Sequence, residues 1–189
     1  VPLNEFLKKT SFEKLSLVQL FKYNILALDE FIARSGEKDL IAAAVFCERK
    51  SQDFFENQKS ISWLKKALRL YAEAYGFYHR VGIHNAMAEL RGKIAFQYLF
   101  AGQLEQANRY MQEGLKTNSA NKTVQRVEPL IFIMNGNMPY AKTILKERMY
   151  SNYTEYTIFR NVFIADLELL RDEYPKNEQI VRALNFLRN

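Results

Sequence analysis

Residues Ile83 to Asn118 read IHNAMAELRGKIAFQYLFAGQLEQANRYMQEGLKTN. Apolar residues recur at helical spacing on both sides of a very short turn, Ala101-Gly102-Gln103. Ile83, Met87, Leu90, Ile94, Tyr98 and Ala101 precede it, and Leu104, Ala107, Met111 and Leu115 follow it. Small residues stand where two helices would cross: Ala88, Gly92 and Ala95 on the first, Ala107 and Gly114 on the second. A short loop makes the two helices antiparallel neighbours, and small residues let their axes approach. The stretch is therefore a helical hairpin.

The hairpin recurs. Gly102 and Gly136 are separated by about 34 residues, and so are Ala107 and Ala141. Upstream, Ala67, Tyr71 and Ala74 repeat the pattern of Ala107, Met111 and Gly114 at a longer, irregular interval. With Ala95, Ala107 and Gly114 as its small residues, Tyr98 as its aromatic and Gly102 at its turn, the hairpin resembles a tetratricopeptide repeat, a family with that same period. Arg91 departs from the family's usual Trp, and Ser119 from its usual Pro. The resemblance implies an all-α fold, a right-handed α-solenoid of about nine helices. Residues 1–58 would form a divergent N-terminal hairpin and 59–189 the repeats, in one domain.

Working outward, Thr10-Ser11-Phe12-Glu13 reads as a capping box. Phe12, Leu15, Val18, Phe21, Ile25, Leu28 and Ile32 then make one apolar stripe ending at Gly36. Further helices are expected over about 38–57 and 61–80, the latter rich in aromatics. Another is expected over about 122–135, with Pro129 inside it to kink it or delay its start. Asn137-Met138-Pro139 opens the next. Asn152-Tyr153-Thr154-Glu155 caps a long helix closed by Tyr174-Pro175, and Asn177 caps the last.

Composition agrees. The 189 residues are 48% hydrophobic, enough for a continuous core, while seven Gly and four Pro argue against a turn-rich β fold. The first residue is Val, so a processed chain or an excised piece of a longer protein is expected. No signal-peptide pattern opens the chain, and no apolar run approaches the roughly 20 residues that span a bilayer. One cysteine cannot form an intrachain disulfide and suits a reducing, cytoplasmic setting. Asn121-Lys122-Thr123 and Asn152-Tyr153-Thr154 match the glycosylation triplet, which without a secretion signal is read as chance. The net charge of +6 comes from dispersed Lys and Arg, a solvated basic surface suited to an acidic partner; nucleic-acid binding is not expected of this segment.

Reactive constellations are missing. His79 and His84 are the two histidines, and no HExxH, CxxC, GxSxG or phosphate-cradling glycine loop occurs. Cys47 has no flanking His and reads as a packed thiol. Asp166 and Glu168 read as ordinary helix-surface acids. The expectation is a binding protein without cofactor or metal, not an enzyme.

Binding residues follow from the register that the family resemblance implies. Its fifth position, which faces the groove in that family, falls on Gly92, Arg126 and Arg160. Its ninth and twelfth fall on Phe96 and Leu99, Leu130 and Ile133, and Ile164 and Leu167. Guanidinium forks beside apolar pockets suit a peptide with an acidic side chain or a free carboxylate, because Arg binds carboxylates bidentately. The alternative is internal pairing of these arginines with Glu128, Glu155 or Glu168. A groove open to solvent implies that Arg126→Ala or Arg160→Ala weakens binding with little effect on folding.

A second resemblance, through Ala67-Leu68, Tyr71, Ala74, Ala88-Glu89, Lys93-Ile94-Ala95, Tyr98, Gly136-Asn137 and Phe159-Arg160-Asn161, is to cytoplasmic peptide-sensing repeat regulators of Gram-positive bacteria and their phages. These are the aspartate phosphatase regulators and arbitrium receptors. It implies a signalling-peptide ligand held by Arg126, Arg160 and Asn161. A competing expectation is a structural adaptor, a homodimer that self-associates through the aromatics between Phe12 and Tyr78.

Overall fold

The computed structural model describes residues 15–54, 57–77, 79–149 and 153–188. Every regular element among them is an α-helix: α1 (Leu17–Lys22), α2 (Leu28–Arg34), α3 (Glu37–Ser51), α4 (Asn57–Phe77), α5 (Val81–Phe100), α6 (Leu104–Thr117), α7 (Lys122–Met134), α8 (Met138–Met149), α9 (Tyr153–Glu173) and α10 (Glu178–Arg188). None is long and apolar enough to cross a membrane. The capping box expected at Thr10-Ser11-Phe12-Glu13 lies outside the described residues, as do Tyr78 and Asn152, with the side chains of the box that Asn152 would open.

Among the described residues ten helices stand where about nine are expected for the chain, because the stripe read as one helix from Thr10 to Gly36 is interrupted. Asn24 sits at φ 56, in the left-handed region. Its N–H donates to the Phe21 carbonyl at 3.0 Å, and the next N–H, of Ile25, reaches back to Leu20 at 2.9 Å. That pair of bonds is a Schellman motif, and Asn is the residue after Gly that tolerates it best. Hydrophobic spacing alone cannot see the break, since Phe21 and Phe31 remain buried on either side and stack at 4.8 Å. The described start of α1 is capped by Ser16, whose Oγ accepts from the Gln19 N–H while Gln19 Oε1 accepts from Ser16.

The same Schellman turn closes α5 and α7. Gly102 (φ 70) donates to Leu99 at 3.1 Å and Gln103 to Tyr98 at 2.9 Å; Gly136 (φ 77) donates to Ile133 at 2.9 Å and Asn137 to Phe132 at 2.8 Å. The interval between Gly102 and Gly136 also separates the end of α5 from the end of α7, and the start of α6 from the start of α8. Identical turn geometry at that interval makes the two hairpins structural repeats. The third hairpin departs: α9 is much longer than α7, and its end falls beyond the next such interval. Counted back from the helix ends, the counterpart of Arg126 in α9 is Ala165, not Arg160.

The chain forms two compact units, divided after Leu90, within α5. In the first, α3 and α4 are the main packed pair. Leu40, Ala43, Ala44 and Cys47 of α3, and Ala67, Leu70 and Ala74 of α4, are fully buried. Burial pushes the Cys47 thiol up to about 12, partly opposed by Lys66, so it is an inert packed sulfur rather than a nucleophile. Phe21, Phe31 and Tyr71 are interior, so these members of the N-terminal aromatic set fill the unit's own core.

In the second unit α7 is central and packs against α6, α8, α9 and α10. Val124, Val127, Leu130, Ile131 and Ile133 are accordingly at or near zero exposure. Asn121 caps α7 through bonds to the Thr123 and Val124 N–H groups at 3.1 and 3.2 Å. Two glycines admit its first turn: a Cβ on Gly92 would lie 2.9 Å from Thr123 Cγ2, and one on Gly114 would lie 2.8 Å from Val124 Cγ2. Val124 is β-branched and held to one preferred rotamer in a helix, so it cannot turn away. We therefore expect Gly114→Ala to destabilise the protein by about 1–3 kcal/mol through overpacking. Gly76→Ala, where a Cβ meets nothing within 4 Å, should stabilise α4 by about 0.5 kcal/mol. Urea unfolding of the two variants checks both signs.

Candidate functional site

The arginine-bearing positions all lie in the second unit. Arg126 projects from the first half of α7 and grips Asp166 of α9 with two parallel bonds, Nε to Oδ2 and Nη2 to Oδ1. Asp166 is 1% exposed. It is not the surface acid that its sequence neighbours suggest. The guanidinium carbon lies 5.4 Å from the ring centre of Phe96 on α5, within cation–π range. One side chain thus ties together α5, α7 and α9. Among the described residues its Nη1 has no hydrogen-bond acceptor, and the side chain keeps 39% of its surface exposed.

Arg160 is held similarly. Its Nε donates to the Leu187 carbonyl at 2.7 Å, and its Nη2 donates to the same oxygen. Leu187 is in the last turn of α10, where carbonyls lack helical donors and attract cations. Asn161, the next residue, is exposed, while Phe96 and Ile164 are half-buried. Leu99, Leu130 and Ile133, expected to line apolar pockets, are fully buried, as is Leu167. The physical reason is packing: α7 lies against α6, α8, α9 and α10, so Leu130 and Ile133 face neighbouring helices and present no ligand-facing surface. Gly92 is covered by Thr123 and Val124. Arg126 and Arg160 are therefore each engaged by a separate internal acceptor, and the buried acid changes the expected effect of Arg126→Ala on folding. Removing Arg126 strands a buried carboxylate, a loss of about 3 kcal/mol for a fully enclosed pair and less here because water reaches the guanidinium.

Internal pairing does occur, though with partners other than those anticipated for Arg126. Glu128 takes Arg148 of α8, and Glu168 takes Arg188 of α10. Arg148 has a further task. Pro129 has no N–H, so the carbonyl four residues earlier, that of Gln125, has no donor in its own helix. Arg148 Nη1 donates to that carbonyl while Nη2 binds Glu128. Burial pulls the Arg148 guanidinium below its usual value, and Glu128 opposes the pull. Arg148 stands one repeat interval after Gly114, at a position where the preceding hairpin has no side chain.

Sequence reasoning missed Asp166 and Arg148, though both left signals. Asp166 falls in step with Phe163 and Leu170, on the inward face of α9, and an acid in an apolar stripe asks for a buried partner. Arg148 breaks the small-residue pattern at a repeat position. The backbone was likewise underused: Tyr174 Oη donates to the Phe100 carbonyl at 2.9 Å, closing the end of α5 from the end of α9. Burial, then Glu173, raises the Tyr174 hydroxyl above its usual range and keeps it a donor.

His79 and His84 pack around the Tyr75 ring at 4.8 and 5.4 Å. No group of three or more metal-ligating side chains occurs among the described residues. Comparison with family models, curated proteins and solved structures finds no match.

The Pro129 arrangement has a measurable consequence. Arg148→Met should cost about 3 kcal/mol, because Glu128 and the Gln125 carbonyl are both left buried and unpaired. In a Pro129→Ala background the loss should shrink by about 1 kcal/mol, since the alanine N–H can then donate to the Gln125 carbonyl within the helix. A double-mutant cycle by denaturant unfolding reads this coupling directly; additive effects would show that Arg148 does not serve the proline gap.

Proposed function

We propose that the chain is a peptide- or protein-binding helical-repeat domain, acting in regulation rather than catalysis. In this reading its hairpins belong to a right-handed α-solenoid of tetratricopeptide type, in a cytoplasmic protein. The repeated Schellman turns at Gly102 and Gly136 support the repeat assignment.

The observation that carries the reading is the state of Arg126. Asp166 and Phe96 fix the guanidinium from two sides, and the Nη1 edge remains unengaged at a partly exposed position. A fork held in this way loses little freedom on binding an oxyanion, so its hydrogen bonds are gained at low entropic cost. The ligand class is a short peptide with a free carboxylate or an acidic side chain. Half-buried Phe96, beside the guanidinium, supplies apolar contact.

The test uses a pool of short acidic peptides passed over the immobilised protein, with the same pool C-terminally amidated as comparison. Retention of the free-acid pool is expected, falling about tenfold in Arg126→Lys, the lower end for one charge-assisted hydrogen bond. Lysine keeps a cation beside Asp166 but has no second edge to offer. Equal retention of the amidated pool assigns the contact to an acidic side chain and removes recognition of the chain terminus; an Arg126→Lys variant that binds as before removes carboxylate recognition by Arg126; no retention of either pool removes peptide binding.

A further inference from the structure

Two lysines that are far apart in the sequence flank one pair of aromatic rings on the first unit. Lys22 of α1 places its Nζ 5.4 Å from the ring centre of Phe46 on α3. Phe46 meets Trp63 of α4 with ring centres 6.0 Å apart and planes perpendicular. Lys66, one turn beyond Trp63 on α4, places its Nζ 4.4 Å from the indole. The result is a continuous strip across three helices, in the order cation, ring, ring, cation. Arg49 follows Phe46 by three residues on α3 and so stands on the same side of that helix. Among the described residues no ion pair or hydrogen bond neutralises Lys22, Arg49 or Lys66, whereas the neighbouring Lys50 is taken by Asp53.

That order sets the ligand chemistry. Uncompensated ammonium groups call for an anion, and Lys binds phosphate as a point charge. A ring beside each lysine adds a surface for a planar aromatic group. Single-stranded nucleic acid carries both, phosphates along its backbone and bases with open π-faces, and is bound through cationic tracks set with aromatic stacking platforms. A carboxylate chain supplies the charge without a planar group at each step. Phe46 and Trp63 are half-buried, so they lie in the surface rather than project from it, which suits stacking and not insertion into a bilayer. The Lys66 ammonium covers the indole in the free protein, but cation–π attraction is weak at a surface. Its flexible stem lets it swing to a phosphate and uncover the ring for a base.

We infer that the strip formed by Lys22, Phe46, Trp63 and Lys66 binds single-stranded nucleic acid. It lies in the first unit and does not rest on carboxylate recognition at Arg126. Trp63 is the chain's one tryptophan, so its fluorescence reports on the site directly. The probe is an oligothymidylate of about ten nucleotides, within the usual range for one such site; polyglutamate of equal charge is the comparison. Titration of the full chain at low salt should quench Trp63 saturably. Affinity should fall as salt rises, and Lys22→Ala and Lys66→Ala should each lessen the slope of log affinity against log salt by about 0.7, the loss of one phosphate contact. Phe46→Leu should weaken binding about fivefold or more with the slope unchanged, the loss of a stacking platform. Arg126→Lys should change nothing. Circular dichroism and thermal midpoint of the two lysine variants should stay near the parent's, because neither lysine makes an ion pair or hydrogen bond among the described residues. The inference is overturned if oligothymidylate leaves Trp63 fluorescence unchanged, or if both lysine variants keep the parent's slope. It is also overturned if polyglutamate displaces the oligonucleotide at equal concentration, for then the strip serves an acidic protein.

Discussion

The carbonyl of Gln125 is the constraint around which the second unit is arranged. Pro129 deprives it of a donor in the middle of a helix that is enclosed by four others, where water is no substitute. Arg148 brings the missing N–H across from α8, and a guanidinium at that depth needs a carboxylate, which Glu128 provides from the residue before the proline. The interior of the unit therefore contains a three-part polar cluster that holds α8 against α7. Close approach on the other side comes from the absence of side chains at Gly92 and Gly114, which lets the first turn of α7 seat against α5 and α6. A helix carrying an internal proline is made stable by its neighbours, not by its own propensity.

The second ion pair follows from the same enclosure. Once α9 packs on α7, Asp166 is shut away from water and Arg126 becomes its counterion. Structure and recognition then draw on the same side chain: the Nε/Nη2 edge of the guanidinium holds the fold, and Nη1 is what a ligand could meet. Arg148, Arg126 and Arg160 together show why the +6 net charge of the whole chain is a poor guide to how many guanidinium donors are free on this unit. Each of the three spends part or all of its donor capacity on an internal oxygen.

Helix α9 shows how an apolar pattern can be satisfied on one side and left open on the other. Its inner face is filled by Phe163, Leu167 and Leu170, while Ile158, Val162 and Leu169 remain against solvent.

Much of the fold was legible in the amino-acid order. Helical class, the hairpin around Gly102, its repetition at Gly136, the stop before Pro175 and the cap at Asn177 all rest on period, glycine placement and capping chemistry, which act over a few residues. The break at Asn24 was hidden because left-handed Asn leaves the hydrophobic spacing undisturbed. The site was legible only in part. Arg126 and Arg160 could be singled out by register, but their acceptors are 40 and 27 residues away. The register itself slips in the third hairpin, where α9 outgrows α7. Sequence periodicity states that a face is apolar or that a residue is charged; it does not state which helix arrives to cover that face or neutralise that charge. Burial of Asp166, enclosure of Leu130 and Ile133, and exposure of Leu169 were decided by tertiary packing, because each depends on where another helix lies and not on the spacing within its own.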